Sequence, residues 1–291
     1  MAKRNLNSTK TIHSEKKAKK APTKEKSSGL GEEAKSNKPQ PEKLSKPKTG
    51  VEEDIVKMAA LYYESIHHKE SQLFTTRQKS QLENLKLLSK ANNDFPTETS
   101  LASADKFLFR NSEAKNSIDF SAGVGKDFLS YVMTWKLLRG KFRPRLLNLV
   151  GENTEESVKK VTRDCFNQLQ ASLEDYEGLS KPGESFISVN KPTILKLIKD
   201  LSVLRGVGPA TASAMLSMMC PEIPFMSDEG LFHLLNKDPA KYDLKTYSKY
   251  LDFVDAQAKR LASTETNMQF GKIPLPFLLE RSWFSKKILE K

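Results

Sequence analysis

The sequence predicts an all-α protein, a helical bundle behind a basic tail. Three observations lead there. From about position 51 onward, apolar residues recur at spacings of three and four, the period of one helix face. No stretch alternates apolar and polar residues as a half-buried strand does. Glycines and prolines punctuate the periodic stretches where helices start and stop, as at Gly206-Val207-Gly208-Pro209.

The chain has 291 residues and a net charge of +12. Residues 1–50 hold 14 Lys and Arg against 5 Asp and Glu, which leaves only about +3 for the rest. That segment is rich in Lys, Ser, Pro and Glu with almost no large apolar side chains, so it cannot offset its ordering entropy and is expected to be disordered. Within it, Lys16, Lys17, Lys19 and Lys20 form a basic cluster. Such a cluster reads as a nuclear-import signal, a nucleic-acid-binding arm or a merely solvated tail. Cys165 and Cys220 are too few for a disulfide framework and lack zinc or iron–sulfur spacing. No cofactor is expected beyond a monovalent cation at the glycine turn. No run reaches the roughly 18 apolar residues that span a bilayer, and the N-terminus has no apolar core of a secretory signal. The expected location is nuclear, with no membrane partner.

The chain divides into the tail (1–50), a helical segment packing on the main domain (51–91), a polar loop or insertion (92–123) and the main helical domain (124–291). In the second part, Ile55, Met58, Ala59, Tyr62 and Ile66 mark one helix, and Leu82, Leu85, Leu87 and Leu88 another. The Ser- and Asn-rich third part shows no such stripe. Phe128, Val132, Trp135, Leu137 and Leu138 predict a helix that ends near Gly140. Thr154 is placed to cap the next helix, with Glu155 and Glu156 complementing its dipole. Residues 178–191 read as a loop. Asn190 is then expected to cap a helix with Pro192 in its first turn and Ile194, Leu195, Ile198 and Leu201 as its apolar stripe. Pro209 starts the following helix, with Ala212, Met215, Leu216 and Met219 on one face, and further helices cover about 228–236, 244–263 and 275–290.

The two helices flanking Gly206-Val207-Gly208 predict a helix-hairpin-helix unit. Val207 would anchor the turn in the core. The backbone of Gly206, Val207 and Gly208, with Ala210 and Thr211 at the start of the next helix, would turn N–H groups toward a phosphate. The alternative is a tight connection whose glycines serve packing alone.

Over about Thr193 to Leu235, the pattern L-x-G-V-G-x-x-T-A resembles the helix-hairpin-helix superfamily of DNA glycosylases. Those enzymes place a catalytic aspartate at a helix start beyond the hairpin. Asp228 matches, lying 22 residues after Gly206. The lysine that lyase-active members carry two positions after the turn is Ala210 here, so the resemblance implies no lyase chemistry at that position. The C-terminal four-cysteine cluster of some members is absent, and the aspartate lies in Ser-Asp-Glu-Gly, not in Val-Asp-x-His. What the resemblance implies is a DNA-binding protein or, with Asp228 active, a monofunctional glycosylase of base excision repair.

Two segments keep double readings. Asp228 suits electrostatic stabilisation of a cation-like sugar, but Ser227, Asp228 and Glu229 also suit a helix N-terminus. Between Trp135 and Arg145, five basic residues surround two aromatics. Trp135 could stack on a base, and Arg139, Lys141, Arg143 and Arg145 could meet phosphates. Alternatively the aromatics lie in the core and the cations solvate an outer face. Backbone contacts do not distinguish DNA from RNA. A non-catalytic protein scaffold is the third function class, favoured by the near-neutral folded part.

Overall fold

Hydroxyl caps and apolar faces divide the described residues of the computed structural model into twelve helices, with no strand among them. The structure describes residues 50–73, 76–91, 94–109, 118–143, 145–179, 181, 183–239, 241–262 and 273–290. The tail, with Lys16, Lys17, Lys19 and Lys20, lies outside them. The described residues belong to a single compact unit.

The first expected helix is two, α1 (Gly50–Ala60) and α2 (Tyr62–Ser71), and α3 (Thr76–Ala91) follows. The segment 92–123 is not a loop throughout. It contains α4 (Leu101–Leu108), capped by Ser100, whose hydroxyl accepts from Ser103 N–H at 2.9 Å. Leu101, Ala102, Ala104, Asp105, Phe107 and Leu108 of this helix are all buried. A helix of two turns is too short to show the repeated stripe that marks a helix in sequence, and a buried aspartate at its centre disguises it further.

Next come α5 (Lys126–Arg139), α6 (Arg145–Gly151) and α7 (Glu155–Leu179). Thr154 caps α7 as predicted, accepting from Ser157 N–H at 3.2 Å. The helix α8 (Phe186–Leu201) begins a full turn earlier than expected. A reciprocal capping box between Ser185 and Ser188 starts it, so Pro192 lies inside the helix and Asn190 does not cap it. Gly208 is the N-cap of α9 (Pro209–Met219), with Pro209 at its first position as predicted. Three helices complete the chain, α10 (Asp228–Leu235), α11 (Leu244–Ala262) and α12 (Leu275–Leu289).

At the centre lies α5, which touches α2, α3, α4, α6, α7 and α9. From Tyr131 to Arg139 every residue of it except Lys136 is buried. The helix is enclosed by neighbours on nearly every side, not amphipathic. The last helix, α12, closes against α1, α2, α10 and α11, which joins the first described helices to the last. Trp283 and Phe284 of α12 lie in the core.

The centre of the bundle is charged. Asp105 is fully buried and accepts from Tyr62 Oη (2.8 Å), Trp135 Nε1 (3.2 Å) and Arg281 Nη2 (3.0 Å). Beside it, Arg139 forms a forked pair with both Glu280 oxygens at 2.7 and 3.0 Å, and its guanidinium lies 4.2 Å over the Phe284 ring. Taking four ionised groups out of water is costly, and only this mutual satisfaction offsets it. The cluster ties α2, α4, α5 and α12 into one register.

Candidate functional site

The turn between α8 and α9 is held from one side. Asn153, just past α6, donates from its amide nitrogen to Arg205 O at 3.0 Å and accepts from Arg205 N–H at 2.9 Å. Gly206 has φ +78°, and a Cβ there would meet Leu146 O at 2.9 Å and Val150 N at 3.0 Å. Its glycine is therefore required by the backbone and by the close approach of α6. Val207 is buried, and its N–H donates to Leu204 O at 3.0 Å. The Thr211 side chain is buried and its N–H donates to Gly208 O at 2.9 Å. Around Gly208 a Cβ would meet open space. Of the five residues predicted to face a phosphate, Gly206, Gly208 and Ala210 keep N–H groups with no backbone acceptor among the described residues. The last two lie at the positive end of α9.

Asp228 is delivered by the segment after α9. Met226 N–H donates to Ser213 Oγ at 3.0 Å, and Tyr247 Oη donates to Pro224 O at 3.1 Å, which fastens residues 220–227 to α9 and α11. Ser227 then caps α10, accepting from Gly230 N–H at 3.1 Å. The capping role falls to Ser227, and the Asp228 carboxylate points away from its own helix. Its Oδ2 accepts from Lys141 N–H at 2.8 Å and its Oδ1 accepts from Tyr242 Oη at 2.5 Å. Gly140 permits this, since a Cβ there would lie 3.3 Å from Asp228 Oδ2. Burial and the Asp228 bond raise the Tyr242 phenol above its ordinary pKa, so it stays a donor. The Arg143 guanidinium lies 4.3 Å over the Tyr242 ring.

These groups line a cleft with about 30 Å³ of space inside it. It is lined by Lys136, Lys141 and Arg143, by Asp228, Glu229 and Tyr242, and by Ala210 at the start of α9. Three stretches distant in sequence thus converge on one concavity.

The Trp135–Arg145 segment splits between its two readings. Trp135 is 0% exposed and Arg139 1% exposed. Trp135 serves Asp105 and Arg139 serves Glu280, which commits both side chains to the core and corrects the expectation that they could meet a base or a phosphate. Arg139 also lines the cleft. Lys141 and Arg145 are exposed and Arg143 is half-buried at the cleft.

Lys136 and Tyr242 of the cleft are not singled out by the sequence, and Glu229 is read there only as a helix-start residue. Lys136 is one of several cations in its stretch, and nothing local marks it. Burial holds its ammonium down at about 8, with Asp228 opposing and Arg143 assisting. Glu229 is buried, its Oε2 has no hydrogen-bond partner, and burial raises its carboxyl pKa against the pull of Arg139. Tyr242 lies in a polar connection with no motif. Among the described residues, no cluster of three or more His, Cys, Asp or Glu is gathered for a metal, and no helix is long and apolar enough to cross a membrane. Compared with family models, characterised proteins and solved structures, the chain finds no significant match.

Proposed function

We propose that this chain is a nuclear DNA-binding protein of the helix-hairpin-helix, glycosylase-like type, and that its cleft hydrolyses the N-glycosidic bond of a displaced nucleotide. The observation that carries this reading is the direction of Asp228: its carboxylate faces the cleft while Ser227 does the capping. The free N–H groups of Gly208 and Ala210, the positive end of α9, and the Lys141, Arg143 and Arg145 side chains offer contacts for a phosphate backbone.

Loss of a base passes through a sugar with cationic character. A carboxylate already fixed by two donors needs no reorganisation to stabilise that charge. The same two bonds favour a second reading, in which Asp228 staples α10 to the end of α5 and the protein binds DNA without chemistry.

Duplex binding measured against salt tests the contact. The affinity should fall with a log–log slope of about −0.9 per phosphate engaged. Release of free base from a panel of damaged duplexes tests the chemistry. Asp228→Asn should abolish release while duplex affinity persists. No measurable affinity for duplex or for single strands at low salt rejects the whole reading. Binding without release from any lesion leaves the non-catalytic one. Equal affinity for RNA of the same length would show backbone recognition alone.

A further inference from the structure

We propose that Tyr242 is the cleft's own occupant, an internal stand-in for a planar ring with a hydrogen-bond donor at its edge, and that a ligand of that chemistry binds by taking its place between Arg143 and Asp228. A free heterocycle and a base turned out of a nucleic acid share that chemistry. For the second source this rests on the preceding reading. The ring site itself does not depend on it.

The Tyr242 side chain is held by its face and by its edge. The Arg143 guanidinium lies 4.3 Å over the ring, and the phenol donates to Asp228 Oδ1 at 2.5 Å. Neither Arg143 nor Asp228 forms an ion pair within 4 Å among the described residues. The phenol therefore stands between a cation and an anion that have no charged partner of their own. Neither contact is peculiar to tyrosine. A guanidinium takes any π face, and a carboxylate oxygen takes any N–H or O–H at the edge of a ring.

With Tyr242 in place, the cleft has about 30 Å³ of space, room for roughly one or two water molecules and not for a heterocycle. Both Asp228 oxygens are also taken, by Lys141 N–H and Tyr242 Oη. A ring reaches the carboxylate only by displacing the phenol. Asp243, next in the chain, caps α11 by accepting from Thr246 N–H at 2.8 Å, so the backbone beside Tyr242 stays anchored while its side chain turns about its own bonds. Lys141 N–H keeps Oδ2, and the carboxylate stays aimed as Oδ1 passes from the phenol to the ligand. The Tyr242 ring packs against the edge of the hydrophobic core, so the place it vacates is apolar and shaped to a ring. Tyr242 thus competes with every ligand of the cleft, an autoinhibitory contact. The apparent affinity falls by the fraction of chains in which the phenol is out.

Uracil, a planar ring with N–H donors at its edge, and 1,3-dimethyluracil, the same ring without them, are the probes. Their binding to the full chain is read by ligand-observed NMR. Tyr242→Ala should bind uracil at least about tenfold more tightly than wild type. Tyr242→Phe, which keeps the ring and loses the bond to Asp228, should fall between the two. Dimethyluracil should bind Tyr242→Ala at least about tenfold more weakly than uracil, because it leaves Asp228 without a donor. Arg143→Gln in the Tyr242→Ala background should weaken uracil about fivefold, and no change there puts the ring elsewhere and overturns the proposal. p-Cresol, the side chain that was removed, reports whether the vacated place persists. p-Cresol bound with no gain for uracil overturns the proposal, and so does uracil binding Tyr242→Phe no more tightly than wild type. In the second arm, single-stranded oligothymidylate, whose bases keep an N–H at the edge, should also bind Tyr242→Ala at least about tenfold more tightly than wild type. A gain for uracil without a gain for the strand locates the failure in the nucleic-acid reading and leaves the cleft a site for free heterocycles.

Discussion

Replacing Lys136 with methionine should stabilise the protein at neutral pH, and the gain should fade as the solution becomes alkaline. Burial places the folded amine at about 8, against an ordinary 10.5. A base with a lowered pKa binds protons less readily in the fold than in the unfolded chain. It therefore subtracts stability below about 8, and the subtraction disappears as pH rises past 10.5. Each tenfold difference in proton affinity is worth about 1.4 kcal/mol, so the penalty is about 3 kcal/mol at pH 7 and about 1 kcal/mol at pH 9.5. Methionine keeps the length of the side chain and carries no charge. The difference in unfolding free energy between Lys136→Met and wild type should narrow by about 2 kcal/mol between those two pH values. Other titrating groups, the buried phenols of Tyr62, Tyr247 and Tyr250 included, are common to both proteins and cancel in the difference. Urea unfolding followed by far-ultraviolet circular dichroism at both pH values measures it. A difference that stays constant from pH 7 to 9.5 means that the amine titrates as an exposed lysine does, and the argument that the cleft withholds water from it fails.

Two further substitutions test the division between core and surface. Arg139→Gln should cost about 3–5 kcal/mol in denaturant unfolding, because it leaves the Glu280 carboxylate buried without its partner. The salt slope of duplex binding should be unmoved in the protein that remains folded, and a slope shallower by about 0.9 would return Arg139 to the phosphate contacts. Gly206→Ala should cost about 1–3 kcal/mol, since alanine must hold a positive φ against the Leu146 carbonyl, whereas Gly208→Ala, which meets open space, should stay within about 0.5 kcal/mol. Equal losses at the two glycines would show that α6 does not press on the turn as described.

The long helices were legible because each carries a repeated apolar stripe and a recognisable cap. Thr154 and Pro209 start helices where the sequence places them. Capping was less legible where two candidates lie close together. Ser185 and Asn190 both precede apolar residues, and only the reciprocal bond with Ser188 selects the first. The same holds for Ser227 and Asp228: both are cap residues by type, and the carboxylate is drawn off by Lys141 N–H and Tyr242 Oη, partners 87 and 14 residues away.

The sequence by itself determined the all-helical class, the glycine turn with Pro209 behind it, and the presence of a cationic stretch ending at Arg145. These follow from local rules, since periodicity, capping and turn chemistry act over a few residues. Tertiary structure alone decided which cations are available and which carboxylate faces open space. Trp135, Lys136, Arg139 and Lys141 lie within seven positions of one another, yet one bonds a buried aspartate, one enters the cleft, one pairs with Glu280 and one lends its N–H to Asp228. The physical reason is that an ionised group's fate is set by the partners it meets after packing. Those partners come from α4, α10, α12 and the connection at Tyr242, which no local pattern places beside α5.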